Sequence, residues 1–341
     1  MRWPKLFRNS QEYIRSNSGI ALFLTNLFLA LILLLVQDPW EAFKDTYTHA
    51  DPFFPVKESD ISKVVVGRKG EAVVLNRTID SWEVSLPNGK EGQGDIERIE
   101  TFLKGILALR KYTLLSQGNA PRSFAPEFGL DGDEPSLEVF DASGSSLGIL
   151  YLGSLATRHA GMHVLEPQSG KIWLVRENLK LLSGNSKPDY FFSRSLFSKA
   201  LSEAPIQSIR LTFLGNSEKN FSLVNSAGEW NLSTTEFSKP ASTEEVNRFA
   251  ETLLRLKADE ILFENKEEIV PVRSEENFQV QLQSTSETEL LSPIGKTKQG
   301  SWVFQRKGLN YKLILDPWTL EPILRKDLAD FTSNKGTHSF Q

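Results

Sequence analysis

Ile61-Ser62-Lys63-Val64-Val65-Val66, Ala72-Val73-Val74-Leu75 and Ser81-Trp82-Glu83-Val84 are three short runs, β-branched or alternating, set off by Gly, Asn and Asp residues. Runs of this kind read as strands of an antiparallel meander. The chain then repeats itself. Ile206-Gln207-Ser208-Ile209-Arg210-Leu211, Phe221-Ser222-Leu223-Val224 and Glu229-Trp230-Asn231-Leu232 follow in the same order, with Trp230 148 residues after Trp82.

A helix follows each meander. Ile96, Ile99, Leu103 and Ile106 recur at spacings of three and four, and Val246, Phe249, Leu253 and Leu256 do the same 150 residues later. Such spacing gathers side chains on one helical face. Asp95 and Thr243 are the expected N-caps, where a side-chain oxygen accepts from a free backbone N–H. Strands return in both copies. Ser136 to Phe140, Leu147 to Leu152, His163 to Leu165 and Lys171 to Val175 are echoed by Phe278 to Leu282, Trp302 to Phe304 and Tyr311 to Leu315. The expected fold class is α+β: two tandem repeats, 61–190 and 205–325, each an antiparallel β-rich sheet with one principal amphipathic helix.

Ahead of the repeats, Ile20 to Val36 is apolar apart from Thr25 and Asn26. With its flanks, residues 19–37 reach the roughly twenty residues that a ~30 Å hydrocarbon core requires. Arg2, Lys5, Arg8 and Arg15 stand before it against a single Glu12. The positive-inside rule then keeps the basic tail, 1–18, in the cytoplasm and exports the remainder. The run ends in Val36-Gln37-Asp38-Pro39-Trp40, without a small-x-small cleavage site. It therefore reads as an uncleaved signal anchor held in the lipid bilayer, in the cytoplasmic (inner) membrane. Residues 38–60, punctuated by Pro39, Pro52 and Pro55, read as a juxtamembrane linker, and the polar end, 331–341, as disordered.

The whole chain carries a formal −4, and setting aside the tail's +3 leaves −7 on the exported part. An acidic ectodomain argues against nucleic acid as a partner. The absence of cysteine excludes disulfides, thiol catalysis and Cys-ligated metal sites.

The anchor, the Phe53-Phe54-Pro55 linker, the "Ile-x-x-Val-x-Val…Trp-x-Val" strands, the amphipathic helix, the Phe128-Gly129-Leu130-Asp131 step and the Ile172-Trp173-Leu174-Val175 hairpin together resemble a bacterial family known as domain of unknown function 4340. The resemblance covers most of 51–190 and, more weakly, 205–325. It implies a membrane-anchored protein found beside an ABC transporter related to gliding-motility systems, together with another anchored auxiliary protein. It carries no catalytic residues over. Family members often have a Tyr before the closing hairpin, where this chain has Met162-His163.

Several residue patterns resemble chemical sites. His159 and His163 have the spacing of a helical metal pair, but Gly161 between them opposes a helix and no Glu follows His159. Ser143-Gly144-Ser145-Ser146 lies between strands, unlike a nucleophile elbow. Gly89-Lys90 and Gly295-Lys296-Thr297 lack the upstream glycine of a phosphate loop. Asp131-Gly132-Asp133-Glu134 falls short of a calcium loop and reads as a solvated turn. Trp82, Trp173, Trp230, Trp302 and Trp318 read as core packing rather than as a glycan platform.

No catalytic, cofactor-binding or metal residue is therefore nominated, no cofactor is expected, and the chain reads as a non-enzyme. The expected function is a binding or scaffolding module serving an ABC transporter permease and its auxiliary proteins, the partner being implied by the resemblance. The alternative is a cell-envelope module that recognises glycan or peptide in a cleft between the repeats.

Overall fold

The computed structural model describes residues 18–37, 50–117, 125–156, 161–263 and 268–332. The basic tail, most of the linker, His159 and the chain end after Thr332 lie outside the described residues. Helix α1 (Ser18–Gln37) coincides with the apolar run. Its side chains are described at residues 19, 22–30 and 32, and these are exposed. Among the described residues no helix is long and apolar enough to cross a membrane, so the bilayer crossing of 19–37 stands as a proposal.

Nine strands form the first sheet: β1 (Lys63–Gly67), β2 (Val73–Arg77), β3 (Trp82–Ser85), β4 (Glu91–Gln93), β5 (Thr113–Ser116), β6 (Ser136–Phe140), β7 (Ser146–Leu155), β8 (Met162–Glu166) and β9 (Lys171–Val175). Their order is β4-β3-β2-β1-β6-β7-β8-β9-β5, antiparallel throughout. Alternation decides which face is covered: Val64, Val66, Leu75 and Val84 are buried while their neighbours reach towards solvent. Helix α2 (Ile96–Ala108) buries Ile99, Phe102, Leu103 and Ile106. As expected, Asp95 caps it, accepting from the Arg98 N–H.

Two short helices, α3 (Leu179–Leu182) and α4 (Lys199–Glu203), lead into the second half. There β10 (Ile206–Phe213), β11 (Phe221–Ser226), β12 (Glu229–Ser233) and β13 (Ser238–Pro240) precede helix α5 (Thr243–Leu254) and β14 (Glu260–Leu262). Next come β15 (Phe278–Ser284), β16 (Thr288–Leu291), β17 (Pro293–Lys296), β18 (Trp302–Phe304), β19 (Lys312–Leu315) and helix α6 (Pro317–Leu324). One sheet runs β13-β12-β11-β10-β15-β16 and another β14-β19-β18-β17. The α+β class with antiparallel sheets holds, but this half carries two sheets where one was expected. Pro293 offers no N–H to a ladder, and the β17–β18 register slips between Pro293 and Gly295. The chain passes from the first of these sheets to the second between Leu291, the end of β16, and Pro293, the start of β17.

The cap of helix α5 lies one residue before the expected Thr243. Its cap is Ser242, which accepts from the Glu245 N–H, and Thr243 is its first helical residue. Its buried face is Val246, Phe249, Ala250 and Leu253. Val246 is the fourth residue of α5, as Ile99 is of α2. Backbone bonds fix this phase: Gly94 N–H donates to Trp82 O at 2.7 Å, and Ala241 N–H to Trp230 O at 2.8 Å. A slip of three residues returns nearly the same face at 3.6 residues per turn, so periodicity alone does not set the phase.

Phe331 is a second correction. Expected at the start of a disordered tail, it is fully buried, with its ring 5.5 Å from Phe221 and 5.3 Å from Phe249. Its carbonyl accepts from Ser242 N–H at 2.7 Å, just as Phe191 O accepts from Asp95 N–H at 2.7 Å in the first half. Buried residues of both halves join in one continuous core.

Candidate binding groove

The sequence candidates separate once placed. His163 lies on β8 with Nδ1 3.1 Å from Ser154 Oγ and its ring 5.0 Å from that of Phe128. Burial pushes its pKa below the usual imidazole value. The neutral ring is thus the form the fold prefers. Stability from this group is present above the unfolded value near 6.5 and is lost as pH falls through the lower folded value. We expect the urea midpoint to fall between pH 7.5 and pH 5, and to fall less in His163→Asn.

Asp141 gathers the Ser143 and Ser145 groups of the serine-rich turn, its Oδ1 accepting from both backbone N–H groups and from the Ser143 hydroxyl. Those hydrogen bonds hold its carboxyl below the usual range. Glu134 turns inward to accept from Gly132 N–H at 2.6 Å, and Asp131 Oδ1 accepts from Asp133 N–H at 3.3 Å, so this acidic step is a self-bonded turn. Among the described residues no cluster of three or more His, Asp or Glu has the arrangement of a metal site. Gly89-Lys90 sits in the turn between β3 and β4, whereas Gly295 and Lys296 belong to β17.

Side chains pack across the junction of the two halves. Arg306, buried, donates to Ser195 O at 2.7 Å, to Phe197 O at 3.1 Å and to Gln93 Oε1. Tyr311 Oη–H donates to Ser193 O at 2.8 Å, and burial raises its pKa far above the normal phenol value. The rings of Phe192 and Phe263 lie 5.6 and 5.2 Å from that of Tyr311. A Cβ at Gly92 would stand 2.6 Å from Tyr311 Cε1, so β4 needs glycine where the second half approaches.

A groove opens elsewhere, at the end of the second half. Its walls are the turn at 297–301, between β17 and β18, and helix α6. The turn is closed by Thr297 N–H to Ser301 O at 2.9 Å and Gly300 N–H to Thr297 O at 3.0 Å, with Gly300 at φ +91°. Asp259 Oδ2 fixes the start of α6, accepting from Asp316 N–H at 2.8 Å and from the Thr319 hydroxyl at 3.1 Å. Pro317 then opens the helix at the position that needs no N–H donor. Ser301 Oγ–H donates to Asp316 Oδ1 at 2.9 Å and ties turn to helix. The space between them is about 610 Å³, lined among others by Gln299, Trp302, Trp318 and Leu324.

The tryptophans divide here. Trp82, Trp230 and Trp302 are buried, as expected of core residues. Trp173 is half-buried, edge-on to Phe53 at 6.2 Å. Trp318 departs from that expectation, because 77% of it is exposed at the groove. Its neighbours in sequence explain this: Leu320 and Ile323 form the buried stripe of α6, and residue 318 falls off that stripe. Position on a short helix, rather than residue type, decides the matter. The cations at the groove have partners within the protein. Lys296 Nζ lies 4.1 Å from the Trp302 ring centre and pairs with Glu276, whose carboxyl it holds below the usual range. Arg325 pairs with Glu321 at 2.5 Å.

Comparison with curated proteins and with solved structures gives no match. The family described as a domain of unknown function (DUF4340) matches residues 82–279, from the Trp82 strand to the Phe278 strand. That is more than half of the chain, and it spans both halves of the fold around their junction. The chain belongs to the DUF4340 family.

Proposed function

We propose that the chain is a single-pass, membrane-anchored extracytoplasmic binding and scaffold protein, an accessory component of an ABC-type transport complex. The observation that carries the anchor is α1, whose Leu22, Phe23, Leu24, Leu27, Phe28, Leu29 and Ile32 all stand exposed on one twenty-residue helix. So large an apolar surface is unfavourable in water and favourable in lipid. A tether of this kind confines the body and its partner to one membrane, so that a weak interface suffices. The transporter partner rests on the family resemblance.

Duplication belongs to the same reading. Supporting it are the strand orders, which correspond from β4-β3-β2-β1-β6 to β13-β12-β11-β10-β15, and the paired Trp, cap and Phe bonds described above. A further pair marks the start of each copy. Phe53 N–H donates to Leu109 O at 3.2 Å and Lys111 N–H to Asp51 O at 2.9 Å; Leu196 N–H donates to Leu256 O at 3.1 Å and Ala258 N–H to Arg194 O at 2.7 Å. Each copy thus opens on a short clip laid beside the end of its helix, ahead of residues 61 and 205.

In-cell crosslinking of the tagged chain, gentle extraction and mass spectrometry test the partner. Recovery of an ABC permease, lost when Ile20 to Val36 is replaced by a soluble export signal, is the expected result. A bait that brings down no transporter component rejects the accessory role.

A further inference from the structure

We propose that the groove between the 297–301 turn and α6 binds an uncharged saccharide, with one pyranose ring stacked on Trp318. The proposal needs only the groove and does not depend on the transporter partner.

Trp318 leaves a large flat apolar ring in water, which is unfavourable unless something covers it. The two cations of the lining, Lys296 and Arg325, are already paired with Glu276 and Glu321, so the groove does not call for an anionic ligand. What remains is an indole face flanked by polar groups: the Gln299 amide, the Ser301 hydroxyl and the Asp316 carboxylate. A pyranose matches that combination, because its C–H face packs on an aromatic ring while its equatorial hydroxyls meet polar side chains at the edges. A peptide fits less well. The backbone N–H groups of Thr297, Gly300 and Ser301 are already committed inside the turn, so this wall offers no free ladder to an extended chain. The volume of about 610 Å³ lies within the range of small-molecule sites and accommodates a short oligosaccharide.

The test uses the full chain in a detergent without a sugar headgroup, since alkyl glycosides would compete. Maltotetraose, cellotetraose and tetra-N-acetylchitotetraose are titrated by calorimetry and by tryptophan fluorescence, with tetra-alanine as the peptide comparison. We expect at least one tetrasaccharide to bind saturably. Trp318→Ala should weaken that binding about tenfold or more, as for an aromatic anchor, with an unchanged melting temperature. Gln299→Ala, on the opposite wall, should weaken it as well. Binding of none of the three sugars overturns the proposal, as does binding that survives both substitutions. Tetra-alanine binding at equal affinity, and lost in Trp318→Ala, overturns the saccharide assignment.

Discussion

Arg306→Ala lowers the unfolding free energy of the body by about 3 kcal/mol, because three acceptors at the junction lose their donor and a cavity opens behind them. Those acceptors are Ser195 O, Phe197 O and Gln93 Oε1, from segments far apart in the chain. Burial lowers the guanidinium's pKa, yet its normal value is so high that the group stays charged at neutral pH. Arg306→Lys should recover only part of the loss, since a point-like ammonium cannot serve three acceptors at the angles a planar fork can. The urea midpoint measures both effects, with an unchanged slope showing that the folded and unfolded states keep their compactness. A shift within about 0.5 kcal/mol, as for ordinary surface substitutions, would show that the junction does not depend on this residue.

Phe331→Ala should cost about 3–5 kcal/mol, the range for deleting a fully buried aromatic side chain. Its ring completes a cluster with Phe221 and Phe249, and its carbonyl receives the Ser242 N–H at the cap of α5. Under the proposed duplication Phe191 answers to it in the first half, packed 5.2 Å from Phe102 and accepting from Asp95 N–H. Phe191→Ala should therefore cost a similar amount. A large loss at one site with almost none at the other would speak against equivalence of the halves.

Much of this architecture is legible in the residues. The runs around Val64, Leu75, Trp82, Ile209, Leu223 and Trp230 are strands as read, because alternation and turn residues agree at each of them. The helices are equally legible, but their phase is not. Helical periodicity tolerates a slip of three, and the Gly94 and Ala241 N–H bonds to Trp82 O and Trp230 O remove the ambiguity. Short edge strands such as β4, β13 and β14 escaped notice, since three residues give alternation too little length to show.

The sites are less legible in the sequence than the fold. Arg306 sits in a polar stretch, Gln305-Arg306-Lys307-Gly308, whose sequence announces a turn and nothing about burial. It is buried because Ser195, Phe197 and Gln93 converge on it, a long-range fact with no local signature. Trp318 shows the converse. Its type suggested core, and its exposure follows from which side of α6 carries Leu320 and Ile323.

Because the chain has no cysteine, single introduced thiols report topology without background. The decisive measurement labels Ser10→Cys and Ser217→Cys, the latter in an exposed turn before β11, with a membrane-impermeant maleimide in cells whose outer envelope has been permeabilised. Anchoring by residues 19–37 with the body outside predicts that Cys at position 217 reacts in intact cells and Cys at position 10 only after lysis. Reaction of both positions only after lysis would contradict an exported, membrane-tethered body.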